Sequence, residues 1–185
     1  MTDWFETQSG LLDKMWTVLT QGVADAKHPA RRPTFATVGG DGWPEARTLV
    51  LRSADRADAA LTLHTDVNSG KMASLRSTPR AALHIWDATL DLQIRLQAEV
   101  TIETGASTRA LWDQIPDHAR QSYGVVPAPG TRLAQALDYV KKPGPHCFAV
   151  LHCALCTIDL VHLGAQHRRA GYSRARHWQG QWLSP

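Results

Sequence analysis

Several signatures of common chemistries are missing from this chain. No G-x-G-x-x-G is present, so a Rossmann dinucleotide site is not expected. No G-x-S-x-G occurs, which removes the nucleophile elbow of α/β-hydrolases. Cysteine is scarce, with three residues. Only Cys153 and Cys156 make a C-x-x-C, and no second pair completes a zinc site. Both stand in an apolar, strand-like run where positions three apart face opposite sides, and no helix start follows as a redox C-x-x-C requires. Buried unpaired thiols are therefore expected, although His146, His152 and His162 lie near in sequence. An odd cysteine count fits a reducing, cytoplasmic setting.

No apolar run approaches the ~20 residues of a membrane span. The opening MTDWFETQSG lacks the apolar core of a signal or transit peptide, so none is expected there. The charge excess is small, 20 Lys+Arg against 17 Asp+Glu for a net +3. That is too little for a nucleic-acid-binding face, but it leaves room for a local anionic ligand. Phe and Tyr are rare at three each, whereas Trp numbers seven. Trp4 and Trp16 read as packing anchors.

What is present fits one domain spanning 1–185, mainly β with flanking helices. Leu12, Met15, Trp16, Leu19 and Val23 recur at helical spacing behind an Asp3/Glu6 capping box, which predicts a helix over 4–25. A barrel core over 33–104 begins with PTFATV, a GGDG turn and a second strand WPEARTLVLR. Leu49, Val50 and Leu51 in succession predict a strand buried on both faces. SADRADA reads as a loop before the strand ALTLHT. Asn68 is the expected cap of a short helix whose first turn holds Ser69, Gly70 and Lys71 and which stops at Thr78-Pro79. RAALHIW is another strand, and the apolar positions from Leu90 to Ile102 alternate with polar ones without a miss, predicting a long half-buried strand. A helical segment over 106–142 is expected, with Leu111, Trp112 and Ile115 inward, a break at Pro116 and a second helix in TRLAQALDYVKK. C-terminal strands over 146–185 end in a hairpin turning at Gln179-Gly180.

The chemistry concentrates between Arg47 and Gln93. Arg47 and Arg52 bracket an apolar segment, and a charge near a core needs an anionic partner. At Ser69-Gly70-Lys71, free backbone N–H groups, the positive end of a helix dipole and a lysine converge, a ready anion site. It is not a P-loop, because Thr65 stands where the first glycine should be and Met72 where Ser or Thr should follow the lysine. Gln93 and Arg95 on the polar strand face could meet solvent, a ligand or a second subunit. The basic cluster Arg168, Arg169, Arg174 and Arg176 could be solvated or could contact an anionic substrate.

In order and spacing these pieces resemble the pyridoxamine phosphate oxidase-like family of FMN-binding split β-barrels. The family's R-x-x-x-L-[KR] appears as Arg47-Thr48-Leu49-Val50-Leu51-Arg52, its aromatic-Thr pair as His64-Thr65, and its S-[RK]-K turn as Ser69-Gly70-Lys71. Its R-Q-V-R strand appears as Leu92-Gln93-Ile94-Arg95, its Gln-Ser pair as Gln121-Ser122, and its Trp…Leu-x-Pro ending as Trp182-Leu183-Ser184-Pro185. The resemblance implies a mostly antiparallel split barrel and a homodimer with FMN at the subunit interface. It implies that Arg47, Ser69, Gly70 and Lys71 hold the FMN phosphate, with Thr48, Leu49 and Val50 along the ring. Arg52, His64, Thr65, Gln93, Gln121, Ser122 and Arg174 complete the implied cofactor contacts. Arg52, Arg168 and Arg169 would position a small, anionic substrate.

There are departures. Gly70 replaces a basic residue, Arg52 replaces a lysine, the substrate-gripping Tyr and Arg lack counterparts between Trp112 and Arg120, and the C-terminal motif is reduced to Leu163…Arg168-Arg169…Arg174. The cofactor therefore carries over better than the substrate. The expected function is an FMN-dependent oxidoreductase of a small molecule, the alternative a non-catalytic flavin-binding storage or sensor module. A basic RNA-contacting barrel is a third reading.

Overall fold

The computed structural model describes residues 3–185. A single 3-10 turn, Trp4–Glu6, precedes helix α1, Gln8–Ala24. The expected continuous helix is broken at Thr7, whose hydroxyl accepts from the Gly10 N–H at 3.0 Å. Thr7 rather than an Asp3/Glu6 box caps the helix, because a hydroxyl set in extended backbone reaches the orphan N–H groups of the first turn. Leu11, Met15, Val18 and Leu19 form the buried stripe of α1.

Strands β1 (Thr34–Val38) and β2 (Pro44–Thr48) make the expected hairpin, with Thr34 opposite Thr48 and Val38 opposite Pro44. The expected continuous strand through Leu51 is interrupted. Leu49 and Val50 lie between β2 and β3 (Leu51–Asp55), half-buried, and the Leu49 N–H donates to Pro33 O at 3.2 Å. β3 and β2 do not pair with each other; β3 pairs β4 (Ala60–Asp66). SADRADA is thus strand at its start and turn only at its end. Helix α2 (Gly70–Ser77) follows, then β5 (Arg80–Asp87) and the 13-residue β6 (Leu92–Thr104). The predicted alternation holds from Leu92 to Val100, while Leu90 stays in the preceding turn.

The helical segment is shorter than expected. A 3-10 turn leads into α3 (Arg109–Gln114) and α4 (Asp117–Arg120), broken at Pro116. Trp112 and Ile115 are buried, but Leu111 faces solvent at 38% exposure. TRLAQALDYVKK forms no helix. Residues 131–139 run as an exposed excursion after the two-residue strand β7 (Val125–Val126), and Val140–Lys141 pair with it as β8. A short helix derives its stability from docking an apolar face, and nothing here covers Leu133 and Leu137.

The 15-residue β9 (Phe148–His162) is the spine of the barrel. β6 pairs with it along its whole length. On its other edge β4 pairs with its first half and β10 (Arg168–Ser173) with its second half. The tail is the expected hairpin, β10 against β11 (Gln181–Leu183), but its connection spans 174–180, with His177 and Trp178 in left-handed backbone, rather than turning at Gln179-Gly180 alone. Leu51, Leu61, Leu63, Leu83, Leu92, Ile94, Leu96, Leu151, Cys153 and Leu155 point inward and fill the core. Phe148 and Val150, on the other face of β9, join Trp112, Ile115 and Tyr123 in a second, smaller cluster outside the barrel.

Candidate functional site

The barrel is open along the seam between β2 and β3, and functional side chains gather at one end of it. Phe35 pairs Arg47, so Arg47 lies on the inward face. Its Nη1 donates to Thr37 Oγ1 at 2.8 Å and to Glu45 O at 3.0 Å, and its Nη2 meets Glu45 Oε2 at 2.7 Å. Helix α2 packs against β1 and brings Lys71 to the same place. Lys71 Nζ donates to Thr65 Oγ1 at 3.0 Å and Ser69 Oγ at 2.9 Å. Burial and the Arg47 charge lower the Lys71 pKa, with Asp66 and Glu45 pulling the other way. A lysine whose protonation is opposed by burial and by a neighbouring cation favours an anion beside it.

Ser69, not Asn68, is the N-cap of α2. The Asn68 N–H is held by Asp66 Oδ1 at 2.8 Å, and Ser69 Oγ donates to Asp66 O at 2.8 Å rather than capping the helix. The N–H groups of Gly70 and Lys71 consequently have no acceptor among the described residues. A Cβ built on Gly70 would meet no atom within 4 Å, so the helix start is open to a ligand. Two cations, two hydroxyls and free helical N–H groups suit a phosphate. The backbone of Thr48, Leu49 and Val50 lies along the unpaired seam beside this end.

Arg52 is the extra residue of a β-bulge. Leu51 pairs Leu63 while Ser53 pairs Thr62, leaving Arg52 without a partner. Bulges re-aim side chains, and here Arg52 turns to the outer face of β3–β4 with His64. His64 packs edge-on against Phe148 at 4.8 Å. Burial, then the Arg52 and His152 charges, push its imidazole down to about 4. Tyr123 closes the group: burial raises its pKa, and the adjacent Arg52 guanidinium offsets part of the rise. Arg52 Nε and His64 Nδ1 are buried without a hydrogen-bond partner. Gln121 and Ser122 are exposed just ahead of Tyr123, and Gly124 ties that segment to Asp66.

The remaining predicted residues lie elsewhere in the chain. Gln93 is half-buried on the outward face of β6, opposite Trp86 and Val161. Arg168 pairs with Glu6 and stands over the Phe5 ring; Arg169 grips Asp159 through Nε (3.1 Å) and Nη2 (2.8 Å). Arg174 donates to Leu155 O through Nε and Nη2, at 2.9 and 2.6 Å, at the β9 bulge formed by Cys156. Thr65 pairs Ala149 and Arg168 pairs His162. At ~3.3 Å per residue, roughly 40 Å of strand separates the two positions. One chain does not bring these groups together.

Sequence reasoning missed Thr37, Glu45, Asp66 and Tyr123. Thr37 shares the inward face with Phe35, and strand alternation marks it as an inward polar group. Asp66 follows Thr65 directly and carries hydrogen bonds at the foot of α2. Tyr123 had no signal beyond following Gln121-Ser122.

A family model described as "Pyridoxamine 5'-phosphate oxidase, FMN-binding domain" matches residues 13–104. The pyridoxine/pyridoxamine 5'-phosphate oxidase of Thermosynechococcus vestitus is 33% identical over 172 residues, 93% of this chain and 71% of that protein. The chain belongs to the pyridoxamine 5'-phosphate oxidase family. The oxidase of Cyanothece sp. is 28% identical over 152 residues, 82% of this chain and 62% of its own. The matched segment spans 49% of the Pseudomonas paraeruginosa oxidase. Among solved structures, a pyridoxamine 5'-phosphate oxidase-related, FMN-binding protein from Nostoc punctiforme superimposes with a TM-score of 0.75 at 24% identity, covering 94% of this chain and 96% of that one. PhzG from Burkholderia lata, solved with tetrahydrophenazine-1-carboxylic acid, gives 0.75 at 20% identity over 100% and 98%. These likenesses establish the split-barrel fold of the family. Among the described residues no helix is long and apolar enough to cross a membrane.

Proposed function

We propose that this family member binds FMN and acts as a flavin-dependent oxidoreductase on a small anionic molecule. The observation that carries the cofactor is the cluster at the foot of α2. Lys71, Arg47, Thr65, Ser69 and the free N–H groups at Gly70 and Lys71 match the charge and acceptor number of a phosphate ester. The seam backbone at Thr48, Leu49 and Val50 would lie along the ring, with Arg52, His64, Gln121 and Ser122 around its edge. Bound there, the flavin supplies hydride acceptance and donation. The protein's part is to anchor the phosphate, orient the ring through the seam, and hold Arg52 at the substrate side. Glu45, which is paired with Arg47, would yield its place to the phosphate.

The separation of Gln93, Arg168, Arg169 and Arg174 from Lys71 supports a homodimer in which the second copy supplies them. Val38 on β1, Trp43 in the β1–β2 turn and Trp86 on β5, exposed at 48%, 73% and 41%, offer apolar surface of the kind buried at stable interfaces. Titrating purified apoprotein with FMN and following flavin fluorescence tests the reading. Saturable binding is expected, and a protein that never takes up FMN would overturn it.

One observation favours the non-catalytic storage or sensor reading. Glu6 and Asp159 already neutralise Arg168 and Arg169, leaving them poorly disposed to hold a substrate. Stopped-flow reduction of the loaded protein by a nicotinamide donor, followed by reoxidation, separates the two; no turnover with any donor would leave only the storage reading.

A further inference from the structure

The phosphate cluster does not account for a second set of groups on the outer face of β3–β4. Arg52, turned outward by its bulge, His64 and Tyr123 meet there. Arg52 takes part in no ion pair among the described residues. Both Arg52 Nε and His64 Nδ1 lack a partner although each atom is buried. A buried donor left unmade is costly, and a guanidinium more so. The charged groups around the imidazole are Arg52 and His152, and His152 is itself paired with Glu103 at 2.7 Å. Arg31, the next cation, is held by Val23 O at 2.7 Å at the end of α1. The carboxylates near this face are already engaged: Glu103 pairs with His152, and Asp66 accepts from the Gly124 and Asn68 N–H groups.

From this arrangement we infer that Arg52, His64 and Tyr123 form a receptor for a carboxylate, so that the substrate of the flavin is a small carboxylic acid. The count of charges selects the class. The α2 end offers two cations and free helical N–H groups, matching a phosphate dianion. The Arg52 group offers a single planar fork, a phenol and an imidazole, matching a monoanion with two oxygens. Tyr123 adds an O–H donor and Arg52 its N–H pair. The neutral imidazole can donate or accept, according to which nitrogen carries the proton. That the bound carboxylate belongs to the flavin's substrate rests on the flavin reading; the receptor itself does not.

The test uses sodium benzoate as probe and the His64 ring resonances as reporter, identified by their loss in His64→Gln. Apoprotein and FMN-incubated protein are each titrated with benzoate, and separately with inorganic phosphate. Benzoate is expected to shift the His64 resonance saturably and to raise its pKa, because an anion beside the ring favours the imidazolium. Arg52→Gln should weaken benzoate at least about tenfold, the effect of removing a charged hydrogen bond. Tyr123→Phe, which keeps the ring packed, should weaken it less. Failure of benzoate to move His64, or Arg52→Gln binding benzoate like the wild type, would overturn the receptor. Tighter binding of phosphate than benzoate at His64 would overturn the carboxylate class. Benzoate binding in a protein that takes up no FMN would keep the receptor and reject the flavin reading.

Discussion

The carboxylate of Asp66 accepts a 2.6 Å hydrogen bond from the backbone N–H of Gly124, 58 residues away. Asp66 sits at the foot of α2, where its other oxygen holds the Asn68 N–H. Gly124 lies between Tyr123 and the exposed excursion, with φ of +90°. This bond joins the start of α2 to the Arg52–Tyr123 group. A Cβ at position 124 would come within 2.2 Å of Lys142 O and require a backbone conformation that L residues rarely adopt. Gly124→Ala should destabilise the fold by about 1–3 kcal/mol, read as a lower urea midpoint. An unchanged midpoint would show that this joint bears no strain.

Lys71→Ala should weaken FMN binding by about tenfold or more, the scale of a lost charged hydrogen bond. Lys141→Ala, on the exposed β8, should change it little. Comparable losses in a fluorescence titration would refute the phosphate assignment.

His64 titrates near 4 in the fold against 6.5 in an unperturbed chain. Between those values the unfolded chain holds more protons, so folding stability falls as acid is added. The stability associated with the neutral imidazole is present above about pH 6.5 and is lost as pH drops towards 4. His64→Gln should therefore flatten the dependence of the urea midpoint between pH 7 and pH 4.5. A variant with the same slope as the wild type would assign that slope to other groups.

If two copies build each site, Lys71→Ala and Gln93→Ala chains should complement. Each homodimer alone should bind FMN weakly. Mixing them by unfolding and refolding should restore one tight site per mixed dimer, because one of its two sites then has both side chains. No recovery in a titration of the mixture would argue for sites built within single chains.

Leu63 is fully buried in the barrel core. Leu63→Ala should cost about 2–5 kcal/mol, from lost burial and the cavity left behind. Denaturant unfolding measures this directly, and a loss below about 1 kcal/mol would mean the barrel collapses freely around the gap.

The barrel was legible where side-chain periodicity was strict. The alternation from Leu92 to Val100 became a strand because one face was committed to the core, and the apolar Phe148–His162 run became one buried largely on both faces. The start of α2 with its lysine was legible because Ser69, Gly70 and Lys71 are neighbours in sequence, and local chemistry needs no knowledge of tertiary pairing. What was hidden depends on long-range geometry. The break at Leu49-Val50 follows from β3 leaving β2 to pair with β4. The expected helix in TRLAQALDYVKK had adequate propensity but no surface to dock on. Arg52 and Tyr123, 71 positions apart, meet only because a bulge turns one outward and Asp66 draws the other in.

The sharing of one edge of β9 by β4 and β10 bears on how the chain emerges from the ribosome. β9 does not begin until Phe148, so the edges of β4 and β6 that it will cover stay unpaired while most of the chain is already made. Such edges invite association with other chains, and ladders between distant segments form slowly. Truncation before Phe148 would leave both edges permanently open. The nascent protein is thus most exposed to aggregation just before its final fifth is synthesised, when a holding chaperone would matter most.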